Sequence, residues 1–133
     1  MKGKLFRIDK SLLPFTMAAI LMAIVIGGAL EASAHSFPEE EHPAAGQTIA
    51  TTPEVTIKFD APIEKLFAKL EVLDAQGNNL AVGTPVISSD GIMLTVKLAA
   101  LKPGDYIVKW GVVCVDTHHT EGSYTFTVAG GSS

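Results

Sequence analysis

At 133 residues with one cysteine, the chain has room for a single domain and no second thiol to close an intramolecular disulfide. Its 47% hydrophobic content overstates the core, because much of it lies in one block near the N-terminus. The formal net charge of −4 excludes the clustered Lys and Arg footprint that nucleic-acid binding needs.

Lys2, Lys4, Arg7 and Lys10 make a basic start, Met17 to Leu30 an apolar run, and Ala32-Ser33-Ala34 a small-residue close. That three-part order predicts a secretory signal peptide over 1–34, helical in its apolar run and cleaved after Ala34. An uncleaved anchor is the alternative, since Leu12 to Leu30 nearly reaches the ~20 residues that span a bilayer. Pro14 and Gly27-Gly28 interrupt that run, and both positions read by a signal peptidase are small. Cleavage predicts an exported, periplasmic domain over 35–133 that starts with His35 and has no stable membrane insertion. It removes four of ten basic and two of fourteen acidic residues, leaving a net charge of −6. Such a domain suits cations better than polyanions.

In the remaining chain, Pro38 and Pro43 predict an extended edge rather than a central strand, and the adjacent Glu39, Glu40 and Glu41 a solvated face. Ala44-Ala45-Gly46-Gln47 reads as a turn. Val55-Thr56-Ile57-Lys58-Phe59 alternates apolar with polar, the period of a half-buried strand. Phe67 to Leu73 is a second such run, with Leu66, Ala68, Leu70 and Val72 assigned to one face; Ala61 to Phe67 has room for one helical turn. Asp74 to Asn79 carries turn chemistry, Leu80 to Val86 one short strand, and Ser88-Ser89-Asp90-Gly91 a hairpin turn.

Ile92 to Leu98 predicts the next strand, and Lys102-Pro103-Gly104-Asp105 the turn after it. Tyr106 to Val115, the longest apolar run, is assigned to a central strand, and Ser123 to Val128 alternates again. About seven short strands with regularly spaced turns, and no convincing 3.6-residue period, predict an all-β antiparallel sandwich.

The chemistry concentrates at Cys114-Val115-Asp116-Thr117-His118-His119, just after the central strand. Asp-x-His is weak evidence alone, because a polar surface loop would look the same. Cleavage adds a second element. An N-terminal His35 offers its α-amino nitrogen and ring Nδ1 to one metal, His118 a further imidazole and Asp116 an oxygen. Three nitrogens and one oxygen suit Cu(II), which stands at the top of the divalent affinity order. Binding should weaken in acid, since copper must displace protons from the imidazoles and an α-amino group of pKa ~7.7–8.0.

His35, the Pro43-Ala44-Ala45-Gly46 turn, the Val55–Phe59 strand, the stretch from Leu101-Lys102-Pro103-Gly104 to Trp110, Asp116-Thr117-His118, and Gly122 to Val128 form an ordered series over nearly the whole segment after Ala34. The series resembles the CopC family of periplasmic copper-binding proteins. The resemblance implies an Ig-like Greek-key β-sandwich or barrel. It also implies one Cu(II) per chain, held by His35, Asp116 and His118, in a protein that buffers or carries copper for tolerance or homeostasis. A membrane copper transporter is the implied candidate recipient.

The chain departs from the family pattern at three positions. Thr117 stands where Gly is common, His119 where Pro is common, and Cys114 where Ser is usual. Met93 is the only methionine after Ala34, so a thioether-rich Cu(I) site is not expected. His42 and His119 match no family ligand and are assigned to exposed or outer positions, with ring orientation a further role for His119. Cys114 is assigned to the core as a small buried residue, with proximity to copper the alternative.

Two other classes stay open at this stage. A copper-dependent oxidative enzyme would also use an N-terminal histidine, although Asp116 would fill a position that oxygen chemistry wants open. A metal-free Ig-like interaction module needs only the sandwich.

Overall fold

The computed structural model describes residue 3 and residues 36–131. The predicted signal peptide and His35 lie outside the described residues.

Among the described residues, eight strands form two four-stranded sheets: β1 (Pro38–His42), β2 (Thr48–Ile49), β3 (Glu54–Phe59), β4 (Lys69–Leu73), β5 (Ala81–Ile87), β6 (Met93–Leu98), β7 (Gly104–Val113) and β8 (His119–Val128). One sheet runs β1-β3-β6-β5 and the other β2-β8-β7-β4, the sandwich that the strand pattern predicted. The core lies between them. Val55, Ile57 and Phe59 of β3 and Leu94 and Val96 of β6 face Leu70, Val72, Val108, Trp110, Val112 and Phe126 of the second sheet. The alternation in β3 is complete, every second side chain being buried, as a sheet packed on one face requires.

Three expectations need correction. The second sheet is not wholly antiparallel, because the two residues of β2 pair in parallel with Thr127 and Val128. Leu66 does not face the core: Lys65–Phe67 form a single 3-10 turn and β4 begins only at Lys69, which leaves Leu66 87% exposed. The last strand also starts earlier than its alternation suggested, at His119, because β8 pairs continuously with β7 from Val113↔His119 to Gly104↔Val128.

Turn residues sit where backbone sterics require them. Gly46 and Gly91 have φ of 73° and 81°, a region that glycine enters without a Cβ clash. Tyr106 donates from its hydroxyl to the Lys102 carbonyl at 2.7 Å, the bond of a tyrosine corner in Ig-like sandwiches. Among the described residues, the buried hydrophobic cluster runs from Val55 to Val128, within the compact unit Ala34–Ser133. Among the described residues, no helix is long and apolar enough to cross a membrane.

Candidate metal centre

The β7–β8 hairpin carries Asp116 and His118 at its tip. After the Val113↔His119 pair, Cys114 donates its amide to the His118 carbonyl at 2.8 Å and accepts at its own carbonyl from Thr117 N at 2.9 Å. That closes a three-residue loop, a form that ends in a residue of the left-handed region. Thr117 holds that position at φ 75°, the only non-glycine with positive φ among the described residues. A β-branched residue in this region carries strain of about 1–2 kcal/mol. Glycine would release it at an entropic cost of about 0.5–1 kcal/mol. Thr117→Gly is therefore expected to stabilise the domain by about 0.5–1 kcal/mol, read as a raised urea midpoint at unchanged slope. A lowered midpoint would show that the loop is not strained.

Within the loop, Asp116 turns both carboxylate oxygens to His118. Oδ1 accepts from the His118 amide at 3.1 Å, and Oδ2 lies 3.0 Å from the ring Nδ1. The carboxylate thus fixes the ring against the backbone of its own loop. The side chains are 28% exposed for Asp116 and 60% for His118, so the pair stands open to solvent rather than in a cavity. The structure brings these two predicted residues together. No group of three His, Cys, Asp or Glu side chains that could hold a metal forms among the described residues.

The start of the described chain is held at the base of the same hairpin. Ser36 is fully buried, and its amide donates to Cys114 Sγ at 2.9 Å. Its carbonyl accepts from Thr120 Oγ1 at 3.0 Å, and its hydroxyl donates to the Pro62 carbonyl at 3.4 Å. Phe37 N donates to Asp60 Oδ1 at 2.7 Å, and Asp60 N returns a bond to the Phe37 carbonyl at 2.9 Å. Ser36 and Thr120 were not singled out by sequence reasoning. No local pattern marks either one, because their bond joins positions 84 apart.

Cys114 is buried, as expected of a lone small apolar residue, yet its sulfur also accepts a hydrogen bond beside the loop. His119 is exposed and lines a separate groove of about 430 Å³ on the outer face of the β7–β8 sheet, with Phe67, Val113 and Glu121. His42 ends β1, likewise exposed. On the β1 face, Glu39 and Glu40 pair with Lys58 at 3.4 and 3.3 Å. Partial burial raises the Glu41 carboxyl above its ordinary value, opposed by a hydrogen bond from the Ala45 backbone. The acidic run is thus partly neutralised rather than wholly solvated.

The family model described as the CopC domain matches residues 39–129, a span covering both sheets and the loop. The chain belongs to the CopC family. It is 35% identical over 98 residues to Protein YobA of Escherichia coli K12, an alignment covering 71% of this chain and 79% of that protein. It is 29% identical over 119 residues to Copper resistance protein C of Escherichia coli, covering 84% and 94%. Among solved structures, it is similar to CopC from Methylosinus trichosporium OB3b with a TM-score of 0.69 at 29% identity. That match covers 74% of this chain and 98% of the other.

Proposed function

We propose that this CopC-family protein binds one Cu(II) per chain in the periplasm and buffers or carries it, as a copper-tolerance or homeostasis protein rather than an enzyme. The metal ligands in this reading are His35, Asp116 and His118, with His35 made N-terminal by cleavage after Ala34. The observation that carries it is the anchoring of Ser36 to Cys114 and Thr120, on the two arms of the hairpin whose tip holds Asp116 and His118. Residue 35 is joined to Ser36 by one peptide bond, so the anchoring of Ser36 supports a reading in which an N-terminal His35 joins Asp116 and His118 as a ligand.

The donor set supports copper over harder cations. Imidazole and amine nitrogen with one carboxylate oxygen suit Cu(II), whereas Ca²⁺ and Mg²⁺ take oxygen ligands. Donation from His118 Nδ1–H to Asp116 Oδ2 favours the tautomer with its lone pair on Nε2, which supports Nε2 as the nitrogen offered to the metal. Asp116 orients the ring through that bond; to supply an oxygen donor to the same ion, its carboxylate turns from Nδ1 to the metal. A membrane copper transporter is the recipient that such a carrier would serve.

Mass spectrometry of the exported protein with and without Cu(II) tests the reading. The expected result is a chain beginning at His35 that gains the mass of one copper ion. A chain that begins elsewhere, or that takes up no copper on titration, overturns it.

A further inference from the structure

We propose that Cys114 and Thr120 are positioning residues for the copper centre, clamping Ser36 so that the preceding residue meets the Asp116–His118 loop in one orientation. The inference rests on the functional reading above, and it adds a role for two residues that are not metal ligands in that reading.

Ser36 is 0% exposed, and each of its three polar groups has a partner. The partners of its backbone come from both arms of the hairpin. Cys114 lies just after the last residue of β7, and Thr120 is the second residue of β8. Between them they flank the loop that carries Asp116 and His118. Phe37 is held in turn by the reciprocal bonds with Asp60, so the chain cannot slide along its own axis at this point.

The consequence for a terminal chelate is geometric. An α-amino group and an imidazole on one residue pivot about the peptide bond that follows it. With the nitrogen of that peptide bonded to Cys114 Sγ, the pivot is fixed relative to His118, and less freedom is lost when the metal binds. The side chain at 114 is therefore read as an acceptor rather than only as core volume. A serine hydroxyl can take over that duty, whereas an alanine cannot.

The test uses the exported protein and its variants. Cu(II) titration and the Cu(II) electron paramagnetic resonance spectrum are recorded for the unsubstituted chain, Cys114→Ala, Cys114→Ser and Thr120→Val. Hydrogen exchange of the Ser36 amide is measured on the same proteins without metal. Outer partners of metal ligands are commonly worth 10–100-fold in affinity, so Cys114→Ala and Thr120→Val should each lose about 10-fold. Both should also change the spectrum and speed Ser36 exchange, while Cys114→Ser keeps affinity and protection.

Unchanged affinity and unchanged Ser36 exchange in both Cys114→Ala and Thr120→Val overturn the clamp. Equal losses in Cys114→Ala and Cys114→Ser, with Ser36 still protected, assign Cys114 to packing and overturn it as well. If Cys114→Ala does not fold, Thr120→Val and Cys114→Ser decide by the same readouts. An unsubstituted chain that takes up no Cu(II) overturns the functional reading and the positioning role with it. That failure is distinguishable, because Ser36 protection is measured without metal.

Discussion

One residue added before His35 is expected to lower Cu(II) affinity by more than about 100-fold, or ~2.7 kcal/mol, while leaving the fold intact. The addition converts the α-amino nitrogen into an amide and so, on the proposed reading, deletes a ligand. Losing a ligand should exceed the ~10–100-fold that outer partners of a metal site contribute. The fold should not respond, because among the described residues the buried hydrophobic cluster runs from Val55 to Val128. Copper titration of the extended and unextended chains, beside their urea midpoints, makes the comparison. Equal affinities would remove the terminus from the site. On the proposed reading, a precursor in which His35 is internal is expected to bind Cu(II) as weakly as the extended chain even when the sandwich has formed.

Gly122→Ala should destabilise the domain by about 3 kcal/mol, the upper part of the range for overpacking a filled core. Gly122 stands directly across from Trp110 in the β7–β8 ladder, and the indole ring lies over its α-carbon. A Cβ built there meets Trp110 Cζ2 at 2.6 Å, Cε2 at 2.9 Å and Nε1 at 3.1 Å, so the ring must move. It has little room to do so, since Trp110 is 9% exposed and packs edge-on against Phe59 with ring centroids 5.4 Å apart. The measurement is a urea midpoint, with Gly130→Ala as control because a Cβ at Gly130 meets nothing within 4 Å. A loss no larger than that of the control would show that the indole relaxes freely. Gly122 is only two residues from Thr120, so copper affinity measured on Gly122→Ala would also report how far the shift reaches the Ser36 anchor.

The strands that pack on the core were legible because burial on one face writes a period of two into the sequence. Val55, Ile57 and Phe59 carry it in β3, and Leu94 and Val96 in β6. The strands that this signal missed are held by other forces. β2 is two residues long, too short to show a period, and exists through its parallel pairing with the end of β8. Thr120, Glu121 and Gly122 show no apolar alternation, yet they extend β8 because their backbone groups complete the ladder opposite Val112, Gly111 and Trp110. Leu66 carries the apolar type of a core residue, but it lies within the 3-10 turn Lys65–Phe67, which leaves it exposed to solvent.

Residue type and order along the chain determined which donors this protein offers: Asp116 and His118 two apart after a long apolar run, and His35 directly behind a small-residue cleavage pattern. Those facts are chemical, and a donor atom is the same in any fold. Only the tertiary structure decided that Asp116 and His118 face each other at 3.0 Å across a loop strained at Thr117. It alone decided that Ser36 is buried against Cys114 and Thr120, 78 and 84 positions away. Contacts at such separations come from strand register and from packing one sheet on the other, neither of which leaves a local pattern at the residues it joins.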